Sequence, residues 1–294
     1  MIKKLVMIAA VICAAACQQS EPPPPPAGAA AAQAATAPES PGNDAPGPAP
    51  RGEQTPTVPL LEQSVAYGEG KGTNLVGFLA MPGDAVEPLP GLLVIHEWWG
   101  LNDDIKAMTR RLAAEGYIAL AVDLYGGAVA GSPEQAQKLM KDVVESPDAA
   151  RANLRQAYEY LRKYAFAPRI GSIGWDLGGG WALQTAIMYP NDLDAMVMYY
   201  GPLVLDRSEL AKIKAPILGL FGELDESAPV RDVVTFRETL RGLGKQSEVL
   251  IYPGAKHGFA NPNGSNYDEK SAADAWENTV SFLARNLKAS PAAK

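Results

Sequence analysis

A short glycine-rich segment, 174–179 with the sequence GWDLGG, is the strongest candidate for chemistry in this chain. It follows an apolar run typical of a strand and precedes a helical run. In a tight strand-to-helix turn the central residue, here Asp176, points into a cleft, and flanking glycines let strand and helix approach. Amide N–H groups at the start of the helix stabilise negative charge there. An ordinary turn with Asp176 as the helix N-cap is the simpler structural alternative.

An acidic residue and a histidine follow Asp176 in the order expected for a hydrolytic triad. Asp225 comes after a predicted strand, within the sequence FGELD, and His257 comes after the last predicted strand. A carboxylate that accepts the ring N–H of a histidine favours the tautomer whose other nitrogen can act as a base. We therefore predict that Asp176, His257 and Asp225 form a catalytic triad, with Glu223 the less favoured acid.

Strand and helix patterns alternate from residue 73 onward, which is typical of an α/β fold with a mostly parallel sheet covered on both faces. The apolar runs predict strands at 74–81, 92–96, 117–122, 169–175, 195–200, 217–221 and 248–252, and helices at 103–116, 147–164, 181–188, 230–240 and 273–287. The segment 126–146 is interpreted as a loop that shapes specificity. The sequence therefore predicts one α/β domain that brings its candidate residues in from several strand ends.

Three further motifs resemble those of the dienelactone hydrolase family. They are VIHEWWG at 94–100, AVDLY at 121–125 and HGF at 257–259, and the resemblance spans about 73–287. It implies the α/β-hydrolase fold, a single cofactor-free domain, and activity on a small ester, lactone or related molecule. It also implies that Glu97 interacts with the nucleophile and that the backbone N–H groups of Trp98 and Leu177 form the oxyanion hole.

The chain departs from the family pattern at three positions. Asp176 stands where relatives have a nucleophilic cysteine. Gly127 and Asn261 stand where relatives that bind the dienelactone carboxylate have arginines. The resemblance therefore implies a hydrolase, while dienelactone itself is a poor substrate prediction.

The carboxylate at position 176 leaves three functions open. The first is hydrolysis of an ester or lactone, although attack on a carbonyl by Asp176 gives an acyl anhydride, which is difficult to reach. The second is a dehalogenase or epoxide-type hydrolase that forms an alkyl ester on Asp176, with His257 activating water. The third is a catalytically inactive binding protein, because Asp176 and Glu97 cannot both ionise cheaply in a confined site. Trp98, Trp99 and Trp175 could donate to a departing halide, but packing is the preferred interpretation.

The N-terminus predicts export and a lipid anchor. Lys3 and Lys4 precede an apolar stretch too short to span a bilayer, and AAAC at 14–17 resembles a lipoprotein cleavage site. We predict a signal peptide at 1–16, lipidation of Cys17, a disordered Ala/Pro-rich linker at 17–56 and the folded domain at 57–294. Gln18 resembles the sorting signal for the periplasmic face of the outer membrane.

Net charge and the numbers of cysteines and histidines limit the kinds of partner and site that we expect for this protein. The formal net charge is -7, and no basic stripe is present, so a nucleic-acid partner is not expected. The chain has two cysteines, Cys13 and Cys17, and both precede the domain, which excludes a disulfide or a thiol nucleophile within it. Two distant histidines predict no metal site, and no cofactor is expected. A small-molecule substrate is the predicted partner, and the sequence gives no indication of oligomeric state.

Overall fold

The computed structural model describes residues 58–70 and 72–288. The predicted signal peptide, Cys17 and the linker lie outside the described residues, as do both ends of the predicted domain. No helix among the described residues is long and apolar enough to cross a membrane.

One eight-stranded sheet forms the centre of the described chain, with the strand order β1-β2-β4-β3-β5-β6-β7-β8. The strands are β1 (Leu60–Gly70), β2 (Thr73–Pro82), β3 (Gly91–Ile95), β4 (Ile118–Val122), β5 (Ile170–Trp175), β6 (Ala195–Tyr199), β7 (Ile217–Gly222) and β8 (Ser247–Tyr252). β1 and β2 form an antiparallel hairpin, and β2 pairs antiparallel with β4. From β4 to β8 every pairing is parallel. This mostly parallel sheet confirms the predicted α/β-hydrolase fold.

Helices cover both faces of the sheet, which explains why its central strands are continuous apolar runs. They are α1 (Asp103–Ala114), α2 (Pro133–Glu145), α3 (Pro147–Lys163), α4 (Leu177–Met188), α5 (Arg207–Lys212), α6 (Val230–Gly242) and α7 (Glu269–Leu283), which continues into a π-helix (Ala284–Lys288). Alternate residues of β3 belong to different apolar clusters: Leu93 and Ile95 to one, Leu92 and Val94 to the other. The sheet is therefore buried on both sides.

Two parts of the fold differ from the sequence-based expectation. The segment predicted to be a loop, 126–146, contains α2, so that prediction is wrong. The Ser132 side chain caps this helix by accepting from the Gln135 amide, Pro133 occupies its first turn, and Met140 lies among its buried residues. β1 was not predicted, because it lies at the sheet edge with most of its residues partly or fully exposed and shows only a weak apolar alternation.

The parallel strands determine where the candidate residues meet. Glu97 follows β3, Asp176 follows β5, Asp225 follows β7 and His257 follows β8. Because the carboxyl ends of parallel strands lie at the same edge of a sheet, all four residues are delivered to one edge.

Candidate active site

Asp176 occupies a strained turn between β5 and α4. Its backbone φ is 49° and ψ is -120°, and a non-glycine residue at positive φ adopts this conformation only where the surrounding structure enforces it. Its N–H donates to the Tyr199 carbonyl at 3.0 Å, and its carbonyl accepts from the Gly180 N–H at 3.2 Å. The Asp176 side chain makes no capping hydrogen bond to α4, so the carboxylate is available to the cleft rather than used as an N-cap.

Two glycines allow the turn to be this tight. A Cβ atom on Gly174 would lie 2.1 Å from the Gly178 carbonyl oxygen, and one on Gly178 would lie 2.2 Å from the Ile95 carbonyl oxygen. Both distances are far below van der Waals contact, and both obstacles are backbone atoms. Glycine is therefore required two residues before and two residues after Asp176.

Asp176, His257 and Asp225 lie in one line of contacts. His257 Nε2 is 3.4 Å from Asp176 Oδ1, and His257 Nδ1 is 3.0 Å from Asp225 Oδ2. All three residues are buried. The predicted trio thus converges in space, with the imidazole between the two carboxylates.

The Asp225 carboxylate is fixed by its own loop. Its Oδ1 accepts from the amides of Ser227 at 2.8 Å and Ala228 at 3.1 Å. Glu223, the less favoured acid, is engaged elsewhere, because its Oε2 accepts from the Gly254 amide at 2.8 Å. Asp225 is therefore the carboxylate that orients the His257 ring.

The two carboxylates control the charge of His257. Burial by itself lowers the pKa of His257, but the hydrogen bonds and charges of Asp176 and Asp225 outweigh burial and hold the pKa well above its ordinary value. The site therefore favours the protonated imidazole. It can donate a proton from Nε2 before it acts as a base.

The second oxygen of Asp176 faces a backbone donor. The Trp98 N–H donates to Asp176 Oδ2 at 3.3 Å. Leu177 is the first residue of α4, where a backbone N–H has no partner within the helix. The two oxygens of the Asp176 carboxylate thus have different environments: Oδ1 lies beside the His257 imidazole and Oδ2 beside a peptide amide.

Side chains from the neighbouring turn hold the Trp98 amide in place. His96 Nδ1 lies 2.6 Å from the Glu97 carbonyl oxygen, and His96 Nε2 lies 3.1 Å from the Leu124 amide. Since Leu124 N–H can only donate, Nε2 accepts and Nδ1–H donates, and burial lowers the pKa of His96, which keeps it neutral. The Tyr125 hydroxyl donates to the Trp98 carbonyl at 2.9 Å. Sequence reasoning missed both supports, although both residues lie within the family motifs.

Glu97 is held by residues that were not predicted to contact it. Its Oε1 accepts from the Tyr200 hydroxyl at 3.3 Å and its Oε2 accepts from Asn261 Nδ2 at 3.1 Å. Tyr200 follows β6 with a positive φ of 37°, and its ring edge packs against His257 with 5.1 Å between ring centroids. Asn261, which stands where the resemblance implies an arginine, therefore binds a carboxylate of the protein. No signal in the sequence marks Tyr200, whose strained backbone only the structure shows.

The three tryptophans that were considered as donors to a departing halide lie in two different places. Trp98 and Trp99 pack on each other at 4.6 Å between centroids. Trp175 stacks on Tyr199 at 5.3 Å and belongs to the apolar cluster on the opposite face of the sheet. The Trp175 indole therefore packs away from the cluster that contains Trp98 and Trp99.

Comparison with known proteins identifies the relatives of this chain. The family model described as "Dienelactone hydrolase family" matches residues 75–287. A protein of Aquifex aeolicus named "Putative carboxymethylenebutenolidase" is 33% identical over 227 residues, which cover 75% of this chain and 97% of the relative. A protein of the same name from Saccharolobus solfataricus is 34% identical over 267 residues, covering 78% and 100%.

A solved structure agrees with these sequence matches. A crystal structure described as "Putative Dienelactone Hydrolase" from Klebsiella pneumoniae superposes with a TM-score of 0.70 and 29% identity, covering 77% of this chain and 99% of that one. The family model covers more than half of the chain, and the relatives match almost end to end. The chain belongs to the dienelactone hydrolase family and is a hydrolase of the α/β-hydrolase fold.

Proposed function

We propose that this protein hydrolyses a carbon–oxygen bond of a small ester, lactone or epoxide through Asp176, His257 and Asp225, without a cofactor. The observation that carries the proposal is the position of the Asp176 carboxylate. Its Oδ1 lies 3.4 Å from His257 Nε2 and its Oδ2 lies 3.3 Å from the Trp98 amide. One oxygen is thus placed to attack beside an acid, and the other already occupies a site for negative charge.

Among these bonds, the geometry favours one at a saturated carbon, as in an epoxide. Attack by Asp176 Oδ1 on such a carbon forms an ester, and the departing oxygen takes the proton from His257 Nε2. Attack on a carbonyl would form an anhydride, and the substrate oxygen would compete with Asp176 Oδ2 for the Trp98 N–H. A halide leaves without a proton, so a protonated His257 gives no advantage to dehalogenation.

The second half-reaction uses the same groups in reverse. Once Asp176 is a neutral ester, it no longer raises the pKa of His257, which has become an unprotonated base. His257 then takes a proton from water, and the hydroxide attacks the ester carbon of Asp176. The charge develops on Oδ2, next to the N–H groups of Trp98 and Leu177. Collapse of this intermediate releases the alcohol and restores the carboxylate.

Ester or lactone hydrolysis is the second candidate. It is favoured by the relatives, which carry the carboxymethylenebutenolidase name. In this reaction Asp176 would form an anhydride, or would act as a base that draws a proton from the attacking water.

Turnover in heavy-oxygen water tests the proposal. The substrate panel contains epoxides, lactones, esters and haloacids, and mass spectrometry follows the tryptic peptide that begins at Ile170 and contains Asp176. We expect an epoxide to be hydrolysed and heavy oxygen to enter Asp176. Asp176→Asn is the matched control and should lose activity by about 10³-fold or more. Turnover without label on Asp176 would rule out the alkyl-ester mechanism.

The inactive-protein hypothesis is tested with Asp176→Cys. If the parent is inactive on every substrate while Asp176→Cys hydrolyses esters, then the scaffold is competent and Asp176 has silenced it. Equal activity of the parent and His257→Ala would remove the triad from the mechanism.

We also propose that the protein is exported and anchored through Cys17 at the periplasmic face of the outer membrane. The support is the leader sequence, with Lys3 and Lys4 before a short apolar stretch and AAAC at 14–17. A fatty-acid label should enter the wild-type protein and be absent from Cys17→Ser. Equal labelling of the two proteins would reject the anchor.

A further inference from the structure

A cavity lies beside Glu97, between helices α1 and α7. We call it the rear cavity; its volume is about 270 Å³, and its lining includes Glu97, Arg111, Trp175, Tyr200 and Trp276. Neither Asp176 nor His257 is among its lining residues. Its size is close to the lower end of the roughly 300–1,000 Å³ typical of small-ligand sites. Tyr200 lines this cavity and also packs against His257, so the cavity adjoins the candidate active site.

One cation in the rear cavity has no carboxylate partner. Among the described residues, the half-buried Arg111 guanidinium forms no ion pair; it lies 3.9 Å above the Trp276 ring and contacts Met108 Sδ at 3.7 Å. The Trp175 ring also lines the cavity, but its Nε1–H is buried out of reach of a ligand atom. A ligand carboxylate would give Arg111 charge-assisted hydrogen bonds.

Two of the acidic residues that line the cavity have donors. Glu97 accepts from Tyr200 and Asn261, and Asp104 Oδ1 accepts from Asn263 Nδ2 at 2.6 Å. Arg111 is therefore the charged group of the cavity that an anionic ligand would pair. Because the carboxylates of Glu97 and Asp104 stand close by, a single negative charge is tolerated better than the double charge of a phosphate monoester.

We propose that the rear cavity binds a small carboxylic acid with an apolar body. The carboxylate binds Arg111, and the apolar part lies along the aromatic wall that includes Trp175, Tyr199 and Tyr267. Arg111 suits this role because its guanidinium is already flattened on Trp276 and presents its edge to the ligand. This site is separate from the triad and does not depend on the proposed reaction.

Titration with 3-phenylpropanoate tests the proposal, with the neutral 3-phenylpropanamide as the matched ligand. Calorimetry of the purified protein should show saturable binding of the acid, and binding of the amide should be about tenfold weaker or more, as expected for loss of a charge-assisted hydrogen bond. Arg111→Gln should weaken binding of the acid by about tenfold and leave the amide unchanged. No saturable binding of the acid, or equal binding of acid and amide, overturns the proposal.

The neighbouring arginine supplies the control variant. Arg110 also lines the cavity, but its guanidinium already binds the Glu62 carboxylate at 2.9 Å and 3.0 Å. Arg110→Gln should therefore change binding by less than about threefold. An equal loss in both arginine variants would indicate general electrostatic attraction and reject a site built on Arg111.

A nuclear magnetic resonance measurement locates the ligand even if Arg111→Gln fails to fold. The indole N–H signal of Trp175 is identified by its absence from the Trp175→Phe spectrum. It should shift as 3-phenylpropanoate is added to the wild-type protein. Binding of the acid that leaves this signal unmoved would place the ligand elsewhere and overturn the proposal.

Discussion

Two turns at the same edge of the sheet supply the two sides of the candidate active site, and they are built by different means. The elbow that presents Asp176 depends on backbone geometry, with a strained φ and two glycines that no other residue can replace. The 96–100 turn that presents the Trp98 amide depends on side chains, because His96 and Tyr125 hold its carbonyl groups. One added atom should therefore disrupt the elbow, whereas loss of one supporting side chain should distort the 96–100 turn only in part.

The difference also extends to charge. Asp176 lies beside the His257 imidazole and raises its pKa. Glu97, in the 96–100 turn, instead accepts hydrogen bonds from a hydroxyl and from an amide side chain. Protonation of His257 thus depends on the Asp176 carboxylate. The contacts of Glu97 with Tyr200 and Asn261 involve only neutral donors, which suits a positioning role.

Gly178→Ala should break the elbow and gives the largest expected effect. The added Cβ would lie 2.2 Å from the Ile95 carbonyl oxygen, so strand and helix must separate. We expect the free energy of unfolding to fall by about 3 kcal/mol or more, with loss of activity. Urea denaturation measures the stability. The control is Gly131→Ala, whose Cβ would meet only the Gln135 side chain at 3.5 Å and should be nearly neutral. A stable, active Gly178→Ala would contradict the backbone explanation.

His96→Leu should weaken the neighbouring turn without destroying it. The change removes the donor to the Glu97 carbonyl and the acceptor for the Leu124 amide. We expect kcat to fall about 10- to 100-fold with little change in KM, because an oxyanion donor is misaligned rather than deleted. Stability should fall by about 2 kcal/mol. The Trp98 amide resonance should move; an unchanged resonance together with a lost kcat would show that His96 does not act through this peptide.

Tyr125→Phe should give a smaller loss from the same turn. It deletes one hydrogen bond to the Trp98 carbonyl and leaves the ring against His96, at 4.7 Å between centroids. We expect kcat to fall less than about tenfold and stability to fall by about 1 kcal/mol. A larger loss of kcat in Tyr125→Phe than in His96→Leu would show that Tyr125, and not His96, is the main support of this turn.

The pH dependence of His257 gives the smallest effect and sharpens the contrast in charge. The folded pKa of His257 is raised above the ordinary 6.5. The resulting stabilisation is therefore fully present below about pH 6.5 and is lost as pH rises through the raised pKa. In Asp176→Asn one carboxylate is gone, so the imidazole should titrate at lower pH. Nuclear magnetic resonance can follow both histidines, because burial lowers the pKa of His96. Identical titration of His257 in the two proteins would show that Asp176 does not control its charge.

Much of the fold followed from local patterns. The buried strands β3 to β7 are apolar runs bounded by turn residues, and the structure places them within one or two residues of their predicted ends. Helix α2 was missed although the sequence carries signals for it: Ala136, Met140 and Val143 have the i, i+4, i+7 spacing of a helix, and Ser132 and Pro133 are typical of a helix start. The glycines that precede this segment favoured its interpretation as a loop.

The candidate site divides in the same way. Asp176, Asp225 and His257 could be chosen from residue type and chain order, and the structure brings them into contact. The partners of Glu97 could not be chosen, because Tyr200 and Asn261 lie 103 and 164 residues away from it along the chain. Contacts over such separations depend on strand order and register, which local periodicity does not encode.

By itself the sequence determined the chemistry that is available: a carboxyl group in the elbow, one histidine after the last strand, no thiol in the domain, and glycines where the backbone must turn tightly. Tertiary structure alone decided how that chemistry is arranged. It set Asp176 Oδ2 against the Trp98 amide, placed His257 between two carboxylates that raise its pKa, and left Arg111 beside a cavity without a carboxylate partner. The physical reason is that hydrogen bonds and pKa values depend on distances of a few ångströms between residues far apart in the chain, and only the packed fold sets those distances.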